Sequence, residues 1–222
     1  MGTLVAVKKG DEVALGSDSL NASDSGVRPE YCKSGGCLIE VGGSYVGLSS
    51  SPAYQHAFEA ALKNLDGKKI PPLHSVENVF EFFLKMHEIL RNHYGMYVNF
   101  QQGQEFEWSP MNSLVISSNG IYRIDSNRSV CEFSSFGAIG TAQAYALGAL
   151  EALRTSKKSA TQLVQATLEV TCKMESLNPD AIHIRTIKNP TLKVTSGSAG
   201  KSRRKKATSK SKSLKPVKGG KK

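Results

Sequence analysis

The apolar positions of this chain change their period several times, and each change marks an element. Leu4-Val5-Ala6-Val7 is a β-prone run, Lys8-Lys9-Gly10-Asp11 reads as a turn, and Val13-Ala14-Leu15 is a second run, so a hairpin is predicted. Residues 19–36 are rich in Ser, Gly and Asn and read as loop. Leu38-Ile39-Glu40-Val41 and Tyr45-Val46-Gly47-Leu48 then flank Gly42-Gly43-Ser44, which predicts a second hairpin with glycines where a tight turn needs positive φ.

Helical spacing follows. Pro52 opens a segment in which Ala53, Ala57, Ala60, Ala61 and Leu65 recur, and Asp66-Gly67 stops it. Val76, Val79, Phe80, Phe82, Phe83, Met86, Ile89 and Leu90 form a second amphipathic pattern, entered through Ser75 as N-cap. Leu114-Val115-Ile116 and Ile121-Tyr122-Arg123-Ile124 bracket a Ser118-Asn119-Gly120 turn, and Phe136–Gly140 is a further apolar stretch. Ala142–Leu153 is Ala-rich and suits close packing on a sheet. Ser159 caps another helix with Leu163, Val164, Ala166, Thr167, Val170 and Thr171 on its apolar face, and Ala181–Ile184 reads as a last strand. Pairing strands across their short turns yields two antiparallel sheets, and the two helix pairs then cover the outer faces. The expected fold is α+β, a four-layer α-β-β-α sandwich.

Composition narrows this picture. At 222 residues and 39% hydrophobic, the chain can bury one substantial core without disulfides. No apolar run is long enough to span a bilayer, and charge and Gly interrupt the N-terminus by Lys8, unlike a signal peptide. Cys32, Cys37, Cys131 and Cys172 lack a zinc-like paired spacing and read as free thiols in a reducing cytoplasm. His56, His74, His87, His93 and His183 are scattered, and His87 and His93 are not at the helical spacing of a metal pair. There is no GxGxxG, P-loop or GxSxG, so neither a metal nor a cofactor is expected.

The net charge of +10 divides unevenly. Residues 191–222 hold 12 Lys and Arg and no acid, whereas residues 1–190 balance at −2. Two regions are therefore expected, a folded domain over 1–190 and a disordered Lys-rich tail over 191–222. In the tail, Lys201, Arg203, Arg204, Lys205, Lys206, Lys210, Lys212, Lys215 and Lys218 alternate with Ser, Ala, Pro and Gly, and no aromatic residue is present for base stacking. Phosphate neutralisation without sequence preference is the expected mode, with DNA, RNA, acidic protein or an anionic membrane surface as targets.

Three segments together resemble the proteasome β-subunit and the peptidase subunit of the bacterial ATP-dependent two-component protease, which are N-terminal-nucleophile hydrolases. These are Thr3-Leu4-Val5-Ala6-Val7 through Gly16-Ser17-Asp18, Tyr45–Ser51 running straight into a helix, and Ala138-Ile139-Gly140-Thr141-Ala142 before the Ala-rich helix. The resemblance covers residues 2–188 and implies the sandwich, a ring-forming habit and, in active members, an N-terminal Thr. That hydroxyl attacks the peptide carbonyl while the α-amine, with a pKa near 8, serves as base. A Lys lowers the nucleophile's effective pKa, and an Asp about sixteen residues past the nucleophile positions that Lys.

Carried across, the family's Asp is Asp18, and sixteen residues before it stands Gly2, which has no side chain. Removal of Met1 would leave Gly2 with a free amine and no nucleophile. The family's Lys falls either on Lys33, by count from Asp18, or on Cys37, by its place directly before Leu38-Ile39. Thr141 keeps a hydroxyl where the family often has Ser, and Cys172–Leu177 offers only Glu175 where the family commonly has an Asp. The first expectation is a catalytically degenerate, structural or binding subunit, a pseudoenzyme with a polyanion-binding tail. The second is an active threonine peptidase in which Thr3 is exposed as nucleophile, with Asp18 and Lys33. That spacing is one residue short, a displacement of about 3.3 Å. The third makes the domain an oligomeric platform for nucleic acid. A homo-oligomeric ring is expected in each case, and an ATPase partner is unspecified.

Overall fold

The computed structural model describes residues 2–18, 37–65, 70–98, 105–175 and 182–189. The elements run β1 (Leu4–Lys9), β2 (Glu12–Asp18), β3 (Leu38–Val41), β4 (Ser44–Leu48), α1 (Pro52–Lys63), α2 (Val76–Tyr94), β5 (Ser113–Ile116), β6 (Ile121–Ile124), β7 (Val130–Phe133), β8 (Phe136–Ile139), α3 (Gln143–Leu153), α4 (Ala160–Met174) and β9 (Ile182–Lys188). They form two sheets, one ordered β8-β1-β2-β9 and the other β3-β4-β5-β6-β7, with every neighbouring pair antiparallel.

Local chemistry accounts for most boundaries. The β3–β4 turn places Gly42 and Gly43 at φ of 56° and 79°, the pair of positive angles a two-residue hairpin turn demands. Ser51, Ser75 and Ser159 cap α1, α2 and α4 by accepting from Tyr54, Asn78 and Gln162 amides, and Gln162 completes a capping box. Glu12 on β2 also accepts from the Thr161 amide at 2.8 Å, which ties the start of α4 to the sheet.

Three apolar layers hold the sandwich. One packs α1 and α2 onto the β3–β7 sheet through Phe58, Phe83, Met86, Val115 and Tyr122. Another packs α3 and α4 onto the other sheet through Val5, Val7, Ala146, Leu150 and Val164. Between the sheets lie Leu4, Ala6, Val13, Leu15, Leu114, Ile116 and Ile121. The strict alternation Leu4/Ala6 against Val5/Val7 sends one set inward and the other to the helices. Helix α4 approaches β2 so closely that a Cβ on Gly16 would overlap Val164 Cγ1 and stand 2.7 Å from Leu168 Cδ1.

The expected order of strands and helices is present, and several bounds differ; Ser44, expected in the second turn, is instead the first residue of β4, opposite Val41. The first hairpin is longer than its apolar runs, because Lys8 and Lys9 stay in the ladder opposite Val13 and Glu12 and only Gly10-Asp11 turns. Helix α2 continues to Tyr94, where Gly95 at φ 62° caps it. Strand β9 extends to Lys188. Strand β7 has no counterpart in the sequence pattern, since Val-Cys-Glu-Phe shows no alternation and is recruited by pairing with β6. Among the described residues no helix is long and apolar enough to cross a membrane.

Candidate functional site

Pairing of Leu4 with Ser17 brings the start of β1 beside the end of β2. There the Thr3 amide donates to Asp18 Oδ1 at 2.8 Å, and the Asp18 amide donates to the Thr3 carbonyl at 3.2 Å. Thr3 is fully buried, and its Oγ1 accepts from the Ala142 amide at 3.1 Å. Gly2, half-buried, lies one residue nearer the chain's beginning, and Ser49 Oγ donates to its carbonyl at 3.4 Å. A Cβ on Gly2 would overlap Asp18 Oδ1 and stand 3.0 Å from the Asp18 carbonyl oxygen.

The opposite wall comes from the turn between β8 and α3. Gly140 has φ of 106°, a conformation that L side chains rarely adopt. A Cβ there would overlap the Gly2 carbonyl oxygen and stand 2.8 Å from Thr3 Cα. Gly140 thus permits Gly2 and Thr3, just before β1, to pass close to the start of α3. The three segments singled out in the sequence, 2–18, 45–51 and 138–142, meet at this one place.

Two thiols lie near Asp18. Cys37, half-buried just before β3, is held above its ordinary pKa first by burial and further by Asp18, while the Ser17 hydroxyl pulls it back down. Cys172, buried on α4, is pushed up to about 11, first by burial and then by Asp18 and the glutamates Glu169 and Glu175. Both therefore stay protonated at neutral pH, where a thiol is a poor nucleophile. Glu175 closes α4, its amide donating to the Thr171 carbonyl at 3.0 Å. Lys33 and the whole basic set, Lys201, Arg203, Arg204, Lys205, Lys206, Lys210, Lys212, Lys215 and Lys218, lie outside the described residues.

One polar cluster carries no signal in the sequence. His87 is buried on α2 with Nε2 3.3 Å from Glu107 Oε2, while Arg91 reaches the same carboxylate at 3.0 Å. Arg128, at φ 67° in the β6–β7 turn, donates to the Glu107 carbonyl at 3.0 Å. Burial, and then the Arg128 charge, hold His87 below its ordinary pKa, with Glu107 opposing. These groups tie the segment before β5 to α2 and to that turn. Among the described residues no group of three or more His, Cys, Asp or Glu could hold a metal ion.

No protein-family model matches the chain, and no curated protein matches it. Solved structures do. Thiobacillus denitrificans BPH, a bacterial proteasome homologue, aligns with a TM-score of 0.72 and 26% identity over 84% of this chain and 97% of its own. The same protein in complex with epoxomicin aligns with a TM-score of 0.72 and 26% identity, over 84% of this chain and 98% of its own. HslV from Trypanosoma brucei aligns with a TM-score of 0.59 and 17% identity, over 84% of this chain and 99% of its own.

Proposed function

We propose that this chain, whose fold is that of the proteasome β-subunit and HslV family, is a non-catalytic structural or binding subunit of a proteasome-like assembly in the cytoplasm. The observation that carries this reading is Gly2. It stands next to Asp18 where the resemblance expects the nucleophile, and it has neither a hydroxyl nor, beside Asp18 Oδ1, the space for a side chain as the carboxylate now lies. Cys37 precedes β3 at one of the two positions, with Lys33, to which the resemblance points for the Lys, and a thiol held above its ordinary pKa is uncharged there.

The geometry of Thr3 counts against its service as nucleophile in this fold. Its hydroxyl is buried and already accepts from the Ala142 amide. Removing Gly2 would leave Thr3 one residue deeper than the family register, and a misplacement of about 1 Å already costs roughly a hundredfold in rate.

Fluorogenic peptides incubated with the full chain test the reading, with epoxomicin, the compound bound to BPH in one of its structures, as the covalent probe. No epoxomicin-sensitive turnover is expected, and intact mass is expected to show a chain that keeps Gly2. Turnover abolished by epoxomicin, together with a chain beginning at Thr3, overturns it in favour of an active peptidase. Native mass spectrometry is expected to show a ring-sized multiple of the subunit. A monomer at micromolar concentration would remove the assembly from the proposal.

The tail adds a polyanion-binding function to this reading. Tails gathered by assembly would gain avidity through raised local concentration. Full-length protein is expected to bind duplex DNA with a steep inverse salt dependence, and a chain ending at Pro190 is expected to lose it. Equal, salt-insensitive binding by both would discard the tail's part.

A further inference from the structure

Phe106 and Trp108 are 59% and 38% exposed, although the backbone that carries them is fixed from several sides. His87 and Arg91 on α2 hold the carboxylate of Glu107, the residue between the two rings. Arg128 donates to the Glu107 carbonyl at 3.0 Å, and the Ser109 amide donates to the Ser126 carbonyl at 2.9 Å. With Glu107 tied to α2, both rings line an open cleft of about 700 Å³, within the size range of small-molecule sites. Among the described residues neither ring packs against another aromatic ring.

The rest of the cleft wall is polar. Arg123 donates through Nε to Asp125 Oδ1 at 2.7 Å, with Nη2 at the same distance, so these two charges cancel. Asn112 Oδ1 accepts from the Ser126 hydroxyl at 3.1 Å, and Asn127 Oδ1 accepts from the Ser129 amide at 3.0 Å. The carbonyl ends of both amides are thus engaged, and neither Nδ2 has a partner among the described residues. Free amide donors therefore share one cleft with the carboxylate acceptors of Asp125 and Glu105.

This lining selects among ligand classes. No aliphatic side chain lines the cleft among the described residues, so an apolar molecule has no matching floor. Its one cation, Arg123, is committed to Asp125, which leaves a phosphate without a partner. Strands β5 and β6, which bring Asn112, Arg123 and Asp125 to the cleft, are each paired on both sides, so they offer no free edge to an extended peptide. A neutral saccharide fits what remains. The C–H face of a sugar ring packs on the electron-rich face of an aromatic ring, and its hydroxyls both donate and accept. We propose that Phe106 and Trp108 are the stacking platforms of a binding site for a neutral oligosaccharide. Asn112 and Asn127 donate to its hydroxyls, and Asp125 and Glu105 accept from them. This inference is independent of whether the Gly2 site is active.

Trp108 is the single tryptophan of the chain, so its emission reads the cleft in the full-length protein. Cellotriose, chitotriose and maltotriose are titrated separately, each to about 10 mM. At least one is expected to change Trp108 emission saturably, with a Kd of about 1 mM. Phe106→Ala removes an exposed ring and is expected to weaken that binding about tenfold with Tm unchanged. Asn127→Asp keeps the acceptor for the Ser129 amide, loses the Nδ2 donor and is expected to weaken it by about the same factor. No saturable response to any of the three sugars, or binding unaffected by both variants, would overturn the proposal. A saturable response to oligoproline or oligouridylate with none to the sugars would assign the cleft to peptide or nucleic acid and overturn it equally.

Discussion

The Thr3 amide donates to Asp18 Oδ1 at 2.8 Å, and the Asp18 amide donates back to the Thr3 carbonyl at 3.2 Å. The carboxylate therefore satisfies a buried backbone donor at the very end of the β1–β2 ladder. Asp18 has a structural task here that needs no catalysis, which gives a physical reason for its presence beside a residue without a hydroxyl. Asp18→Ala is expected to leave the Thr3 amide buried and unpaired, costing about 1–3 kcal/mol in urea unfolding. Asp18→Asn, which keeps an acceptor oxygen, is expected to cost less. Equal losses in the two variants would show that the hydrogen bond is not what Asp18 contributes.

Gly140, before α3, and Gly148, within it, make a contrasting pair. Gly140→Ala places a methyl group on the Gly2 carbonyl oxygen at a φ of 106°, and a loss of about 2–4 kcal/mol is expected. Gly148 sits within α3 with nothing near its Cβ position, and Gly148→Ala is expected to gain about 0.5–1 kcal/mol. Thermal unfolding reads both, and the two shifts should have opposite signs.

His87 imposes a pH dependence of known sign. Its folded pKa lies below the ordinary 6.5, first through burial and then through Arg128, with Arg91 acting in the same direction and Glu107 opposing. The unfolded chain therefore takes up the proton first. The stability associated with neutral His87 is complete above pH 6.5 and is lost as pH falls towards the folded value. His87→Gln is expected to flatten this part of the denaturant-midpoint profile between pH 7 and 5. An unchanged slope in that variant would assign the acid sensitivity elsewhere.

The start of α4 depends on two side chains far apart in sequence. Ser159 caps the helix, and Glu12 accepts from the Thr161 amide at 2.8 Å. Ser159→Ala is expected to cost about 1 kcal/mol. Because Ser159 and Glu12 serve the same few amides, the double variant with Glu12→Gln should depart from additivity in a double-mutant cycle.

Much of the fold is legible in the sequence because its signals are local. A glycine-rich turn, a Ser before a helical stripe and the alternation of Leu4 to Val7 each act within a few residues, and they appear where the pattern places them, except that Ser44 leaves the turn for β4. Strand β7 escapes this reading, since its four residues become a strand only through β6. The His87–Glu107–Arg128 cluster escapes it too, because nothing in the local pattern of α2 marks one histidine as facing a carboxylate twenty residues away.

For the candidate site, the sequence by itself determined which residue types are available. The count between Asp18 and Gly2 follows from chain connectivity, as does the absence of a hydroxyl at Gly2. The tertiary structure alone decided what those residues do. Burial of the Thr3 hydroxyl under the Ala142 amide joins positions 139 residues apart. The overlap that any Cβ on Gly2 would meet depends on where the Asp18 side chain turns. Such contacts are set by packing of two sheets and a helix N-terminus against one another, and a one-dimensional pattern carries no record of the distance between them.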